Sequence, residues 1–540
     1  MPLTPRVLGT LGRNLPAILA FSLLLFQVAI PWTVPHFVTQ DGPSHVYTAV
    51  VARDLLLDRT SPFQELYRFS DQLVPNWGHT VMLGIFTWIS VDHAEQLMMS
   101  FLMLVGFVSF SYAFRSIAPE ASPWTPLANF LTHTSFLWIG FINFCLSCLL
   151  FPVVVGYYIR HIGRLTFGRV ATLAAWITGL FFIHLMGAAL AMLTLFVLGV
   201  WNHFLHPFLL PVENRPRRIF SGSDIRQLGL LAAALTPTAL LLVWFVVATG
   251  SQPFQMDFRS AWATFPMQVF TTGAGRAGGQ VFLWPAVLCF IALGAAAMKR
   301  SEWRTPRGAL MIVACLAFVL TLVLPDAGLG GSGAKARFAW VVFIAGVLAA
   351  WSLRRFRPLR VPFAVYVAAF LAGNLTATME GVRGSSPIVE NYLAIANRIP
   401  RGASLVRIRF DLAYAPELDI GRILLVHTDA YIAAHCHCID LSDYEVASAT
   451  FPVVFRSSVL PEDRLHLWDF EVPSGTTGAT LRSLQKTLPR PIDYVILVAD
   501  ETSGPDAVKL QEQLDSEMQL VASSPPVNPF VRLYARTGVR

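Results

Sequence analysis

Apolar runs separated by short basic linkers fill roughly the first 380 residues of the chain, and the pattern then changes. Runs such as NLPAILAFSLLLFQVAIPW (14–32) and QLGLLAAALTPTALLLVWFVVATG (227–250) are long enough to cross a hydrocarbon core of ~30 Å. Candidate spans are 14–34, 79–92, 95–115, 126–159, 170–185, 186–203, 227–249, 280–298, 309–325, 338–353 and 361–378, roughly eleven crossings. The run 126–159 is too long for one straight helix of ~20 residues, and a break near Gly140 into a re-entrant half and a full span is expected.

The tail reads differently. SPIVENYLAIANRI (386–399) has apolar residues at helical spacing, and DAVKLQEQLDSEMQL (506–520) reads as a second helix. SLVRIRF (404–410), RILLVH (422–427), DYVILVA (493–499) and FVRLYA (530–535) are short, β-branched runs that predict strands. The expected fold is therefore a polytopic α-helical membrane protein of about 11 transmembrane helices with a small C-terminal α/β domain. The membrane domain takes residues 1–379, with an outer loop at 35–78, and a soluble extracytoplasmic domain takes 380–540.

Composition agrees. Of 540 residues 54% are hydrophobic and only 14% charged, with mean hydropathy +0.55. A soluble protein of this length seldom carries so little charge. The net charge of +7 lies in clusters between spans (Arg6/Arg13, Arg160–Arg169, Arg215–Arg226, Lys299–Arg307 and Arg354–Arg360). That is the positive-inside pattern of a multi-pass cell-membrane protein, not the footprint of a nucleic-acid partner. It puts the N-terminus in the cytoplasm and the tail outside. The first run lacks a small-x-small cleavage site and reads as a retained span. Four of the six Cys lie in apolar runs and only Cys436 and Cys438 in the polar tail, so no disulfide scaffold is expected.

Candidate chemistry gathers on the outer face. In TQDGPSHVYT (39–48), Asp41 precedes a helix-starting Gly-Pro, and His45 follows four residues later. The loop closes with VPNWGH (74–79), bringing Asn76, Trp77 and His79 back to the same depth. Asp41 is equally an N-cap or a general base on these grounds alone. The third outer segment, DAGLGGSGAKAR (326–337), ends in Lys335 and Arg337, whose fork suits phosphate oxygens. The alternative is a loop with two cations snorkelling to headgroups. His133 and Asn143 flank the suspected break, and His184 lies between two spans; intramembrane polar groups often line a cavity, though bonding between helices is the commoner role. HCHC (435–438) looks like a metal motif, but on a strand the His and Cys would face opposite ways, so packed thiols at a strand end are expected. The chain has no Walker loop, dinucleotide fingerprint or nucleophile elbow.

QDGPSHVYTA (40–49), PNWGHTVMLGIF (75–86) and GFINF (140–144) resemble segments of the GT-C class of membrane glycosyltransferases, with the likeness covering roughly residues 10–380. The resemblance implies transfer of a sugar from a polyprenyl-phosphate donor to an acceptor hydroxyl of a glycan, lipid or protein, with membrane lipids around the site. Asp41 would be the general base, Arg337 with Lys335 would meet the donor phosphate, and His45, Asn76 and His79 would line the cavity. Many members carry a second acid where this chain has Gly42. No tightly bound cofactor and no metal ligand set is therefore assigned, and a divalent cation stays an open option. The competing expectations are a transporter or flippase, which would show internal repeats, and an O-antigen ligase or polymerase, which would rest on a large internal outer loop.

Overall fold

In the computed structural model the described residues are 5–119, 126–205, 222–249, 280–324, 334–353, 358–409, 427–447, 450–456, 490–499, 505–524 and 530–538. Where apolar residues follow one another without charge, the backbone satisfies its own polar groups as helix. Seven helices among the described residues are long and apolar enough to cross a membrane: Leu15–Thr33, Ala94–Ile117, Ile142–His161, Leu185–Phe204, Gly222–Ala248, Pro306–Val323 and Arg360–Ile395. Phe167–Ile183 and Pro285–Ala297 are shorter apolar helices. The expected count of eleven is not confirmed among the described residues, although helices of 18 residues also cover Gln280–Ala297 and Ala334–Trp351. Trp77–Ile89 has only 13 residues. Ala334–Trp351 is an interior helix, apolar on all sides, with only Arg337 of residues 335–351 escaping burial.

The run 126–159 breaks as its length demands. Pro126–Thr132 and Ser135–Ile139 are short helices, Gly140 has φ +87°, and Ile142–His161 is a full-length helix. Gly140 permits the break, because its backbone is left-handed, where side chains are strained.

The chain forms two compact units. The first comprises Met1–Ile30, Ser100–Leu137 and Asn143–Ala377, and the second Pro31–Met99, Trp138–Ile142 and Thr378–Arg540. The second unit thus contains the first outer segment as well as the tail. The 37-residue helix Arg360–Ala396 gives residues to both, and it absorbs the helix expected at 386–399.

In the first unit, helices meet through small residues and a few polar pairs. Gln27 Nε2 donates to the Asn129 carbonyl at 3.0 Å, and Asn129 Nδ2 to the Ala20 carbonyl at 2.6 Å. Thr178 and Thr238 hydroxyls meet at 3.1 Å. Such bonds hold helices together where apolar surfaces alone give little preference over lipid.

In the second unit the helix Gly42–Leu57 is buried along almost its whole length and packs against Trp77–Ile89 and Thr428–Cys436. Two sheets surround this arrangement. Strand β1 (Tyr67–Phe69), in the outer segment, pairs antiparallel with β4 (Val453–Phe455), in the tail. The larger sheet has the order β3-β2-β5-β7-β6, from β2 (Ser404–Arg409), β3 (Ile439–Asp440), β5 (Tyr494–Ala499), β6 (Met518–Ser523) and β7 (Phe530–Arg536). β2 runs parallel to β3 and β5, and β7 antiparallel to β5 and β6. The unbroken apolar YVILVA of β5 suits its buried central place, and exposed β6 forms an edge.

The strands expected at 404–410, 493–499 and 530–535 are present. The one at 422–427 lies outside the described residues apart from His427. The helix expected over 506–520 stops at Glu517, and Met518–Leu520 opens β6, where pairing with β7 overrides helical spacing. HCHC is not a strand end: His435 and Cys436 close the helix Thr428–Cys436, and His437 takes a left-handed φ of 53°.

Candidate functional site

Burying the helix Gly42–Leu57 on all sides takes Ser44, His45, Thr48 and Asp54 out of water, so each needs a polar partner. The partners come largely from the tail. Asp443 accepts from the Ser44 hydroxyl in a short bond and from Thr48 Oγ1 at 3.3 Å. Tyr47 and Tyr67 hydroxyls meet at 2.9 Å and reach the carbonyls of Cys438 and Asp440.

Asp41 stands at the N-cap position, yet its side chain makes no capping bond. Thr39 Oγ1 accepts from the Gly42 N–H at 3.0 Å instead. The Asp41 carboxylate accepts from Gln40 Nε2 at 3.2 Å, hydrogen-bonds the Tyr444 hydroxyl, and lies 3.9 Å from His427 Nε2. Its own backbone N–H is held by the Ile139 carbonyl at 2.9 Å. The cap reading is therefore not what this carboxylate does.

Two glycines allow the close approach. A Cβ on Gly42 would fall 1.8 Å from Glu95 Oε1 and 2.5 Å from Thr39 Oγ1. A Cβ on Gly140 would fall 2.5 Å from Thr39 Oγ1 and 2.9 Å from the Gly42 nitrogen. Glu95 Oε1 in turn accepts from the Thr39 N–H at 2.6 Å. The position beside Asp41 where a second acid could stand is thus filled by the Glu95 carboxyl.

His45 and His79 converge on a residue with no sequence cue linking it to them. His45 Nδ1 contacts Glu445 Oε1, and His79 Nε2 lies 3.2 Å from Glu445 Oε2. The two rings stand 4.3 Å apart. His45 Nε2 meets the Gly140 carbonyl at 2.7 Å. All three side chains are buried. Burial on its own would lower the His45 pKa, but the charge and hydrogen bond of Glu445, helped by Asp41 and Gly140, raise it to about 9. Burial works the other way on Glu445, and the two imidazoles overcome it, holding its carboxyl well below the usual range. Asp443, desolvated and beside the Glu445 charge, is raised to about 8.

Asn76 has a left-handed φ of 67°, and its Nδ2 donates to the Thr450 carbonyl at 3.2 Å. Asp41, His45, Asn76 and His79 all belong to the second unit. Lys335 and Arg337 belong to the first, in the opening turn of Ala334–Trp351 rather than in a loop. Lys335 is buried, against the snorkelling expectation. Arg337 Nη1 lies 3.4 Å from His184 Nε2, and its guanidinium 5.1 Å from the centre of the Phe144 ring. His184 Nδ1 accepts from the Met186 N–H at 3.1 Å and so caps the next helix. His133 and Asn143 are buried in the same unit. The Gly-rich GLGGSG and the segment 250–279 lie outside the described residues.

Sequence reading missed His427, Asp443, Tyr444 and Glu445. The only signal was a run of acids, DLSDYE (440–445), in a tail segment otherwise rich in apolar residues.

No family model matches the chain, and no curated protein matches it. Among solved structures it aligns with ArnT from Cupriavidus metallidurans bound to undecaprenyl phosphate, at 12% identity, 99% of each chain and a TM-score of 0.48. The apo state of the same protein aligns at 12% identity over 96% of each chain with a TM-score of 0.49. Substrate and residue roles rest on the side chains described above.

Proposed function

We propose that the chain is a membrane glycosyltransferase that moves a sugar from a polyprenyl-phosphate donor to an acceptor hydroxyl on the outer face, with Asp41 as general base. The observation that carries this reading is a buried carboxylate at a helix cap that leaves capping to Thr39 and keeps company with His427, Tyr444 and Gln40. In this reading the acceptor hydroxyl gives its proton to Asp41 as its oxygen attacks the anomeric carbon. The sugar–phosphate bond breaks in the same displacement, which inverts the anomeric centre. The polyprenyl phosphate leaves as an anion whose charge needs cationic partners. Tyr444 and Gln40 orient the carboxylate, and His427 Nε2 lies 3.9 Å from it. His45 and His79 shape the floor of the site through Glu445, and Asn76 holds the end of the loop.

Membranes supplied with a radiolabelled polyprenyl-phosphate sugar test the assignment. Asp41→Asn keeps the shape and the Gln40 contact but cannot take the proton, so transfer falls by ~10²–10⁴ at unchanged protein level. Undiminished transfer sinks the base assignment. The reading also needs the tail outside: a reporter fused after residue 380 registers the extracytoplasmic side, and a cytoplasmic signal undoes it.

A further inference from the structure

His45, His79 and Glu445 each present one ligand atom, and these atoms lie within 4.8 Å of one another. Two imidazole nitrogens and one carboxylate oxygen are a donor set that binds zinc with a fourth position left over. The three come from three separate stretches: one helix start, a second helix start, and a turn of the tail.

The tautomer of His45 sharpens the point. The Gly140 carbonyl can only accept, so His45 Nε2 must carry a hydrogen. A neutral His45 then points the lone pair of Nδ1 straight at a carboxylate oxygen of Glu445. Two lone pairs in contact repel, so a cation must sit between them. A proton on Nδ1 is one such cation, and a divalent metal is the other. Ligating histidines characteristically hold their second N–H on a backbone carbonyl or carboxylate, as His45 does on Gly140. The other Glu445 oxygen lies 3.2 Å from His79 Nε2, which also has Thr80 Oγ1 at 3.3 Å. One metal would be met by all three donors at once. The near-complete burial of all three side chains favours an ion held by protein ligands over one exchanging with bulk water.

We infer that His45, His79 and Glu445 form a binding site for one divalent transition metal of zinc type, with an exogenous oxygen as fourth ligand. The ion ties both ends of the first outer segment to the tail. This inference stands apart from the glycosyl-transfer reading, because its test needs no transfer assay.

The full-length protein in detergent is stripped with EDTA, dialysed against zinc chloride at low micromolar level, and assayed for bound zinc. Wild type retains about one zinc per chain. Glu445→Gln and His79→Gln lose zinc affinity by more than the ~10–100-fold typical of losing an outer-shell partner. A double variant outside the triad, Cys436→Ser with His435→Ala, keeps wild-type zinc. Wild type without stoichiometric zinc means that the triad binds only protons and overturns the inference, as does zinc equally retained by both ligand variants. His79→Cys guards against a variant that merely misfolds. Loaded with cobalt, it should show a thiolate-to-cobalt charge-transfer band that wild type lacks, and absence of that band places the ion elsewhere and overturns the assignment.

Discussion

Two histidine clusters in the second unit make an instructive pair. His435, Cys436, His437 and Cys438 are consecutive in sequence; the two thiols hydrogen-bond each other, but the two histidines diverge, His435 Nδ1 facing Asp92 at 3.3 Å and His437 Nδ1 facing Asp54 at 3.1 Å. His45 and His79 stand 400 and 366 positions from Glu445, and they converge on it. A helix end followed by a left-handed residue turns successive side chains in different directions. The helix Gly42–Leu57 packs against both Trp77–Ile89 and the turn at Tyr444–Ala447, and the three stretches bring His45, His79 and Glu445 together. Density of ligand types along the chain is therefore a poor guide, and convergence belongs to the packing.

The largest expected effect breaks or upholds that contrast directly. Glu445→Ala leaves two buried imidazoles without their shared carboxylate, a loss of ~3–5 kcal/mol for breaking a buried charged pair. His435→Ala removes a side chain that is 41% exposed and paired at the surface, and it stays within ~0.5 kcal/mol. Thermal unfolding in one detergent measures both. Equal shifts of the midpoint would show that the two clusters matter alike.

The next effect tests how tightly the outer segment is seated. Gly42→Ala puts a methyl where Glu95 Oε1 now stands, and Glu95 is itself tied to the Thr39 N–H. Overpacking of this kind costs ~1–3 kcal/mol, and the displaced Glu95 takes the Thr39 contact with it. Ala at Gly84, where a Cβ meets nothing within 4 Å, is the matched control and leaves the midpoint unchanged or slightly higher. A Gly42→Ala protein as stable as wild type would mean that the Glu95 contact is easily yielded.

Much of this was legible in the sequence, and what was not has a physical cause. Asp41, His45, Asn76 and His79 stood out because acids, amides and imidazoles are conspicuous beside apolar runs, and the break at Gly140 followed from a run too long for one helix. Strands β2, β5 and β7 announced themselves by β-branched residues. Glu445 and Asp443 did not, because an acid in a polar tail looks solvated until the fold buries it. The pairing of β1 with β4, which brings 67–69 to 453–455, has no local signature at all. Nor did hydropathy separate lipid-facing helices from protein-enclosed ones: Ala334–Trp351 is buried within the protein along almost its whole length.

The smallest effect concerns the pair that the motif HCHC hides. Asp54 is partly desolvated, which would raise its pKa, but the hydrogen bond and charge of His437, with Arg53, hold it below its ordinary value of 3.8. A carboxylate lowered in the folded state contributes stability at pH above that ordinary value and loses it as pH falls through the folded one. His437 is a quarter exposed, so its share is held to about 1 kcal/mol or less. His437→Ala should therefore unfold at a lower midpoint than wild type near pH 5, with the gap narrowing towards pH 3. Alanine at a φ of 53° adds a strain of its own, but strain does not titrate, so the slope and not the offset reports the ion pair. A gap that stays constant across this range would mean that His437 serves the turn alone, and the second histidine cluster would then be structural in the plainest sense: a helix stop with no electrostatic partner of consequence.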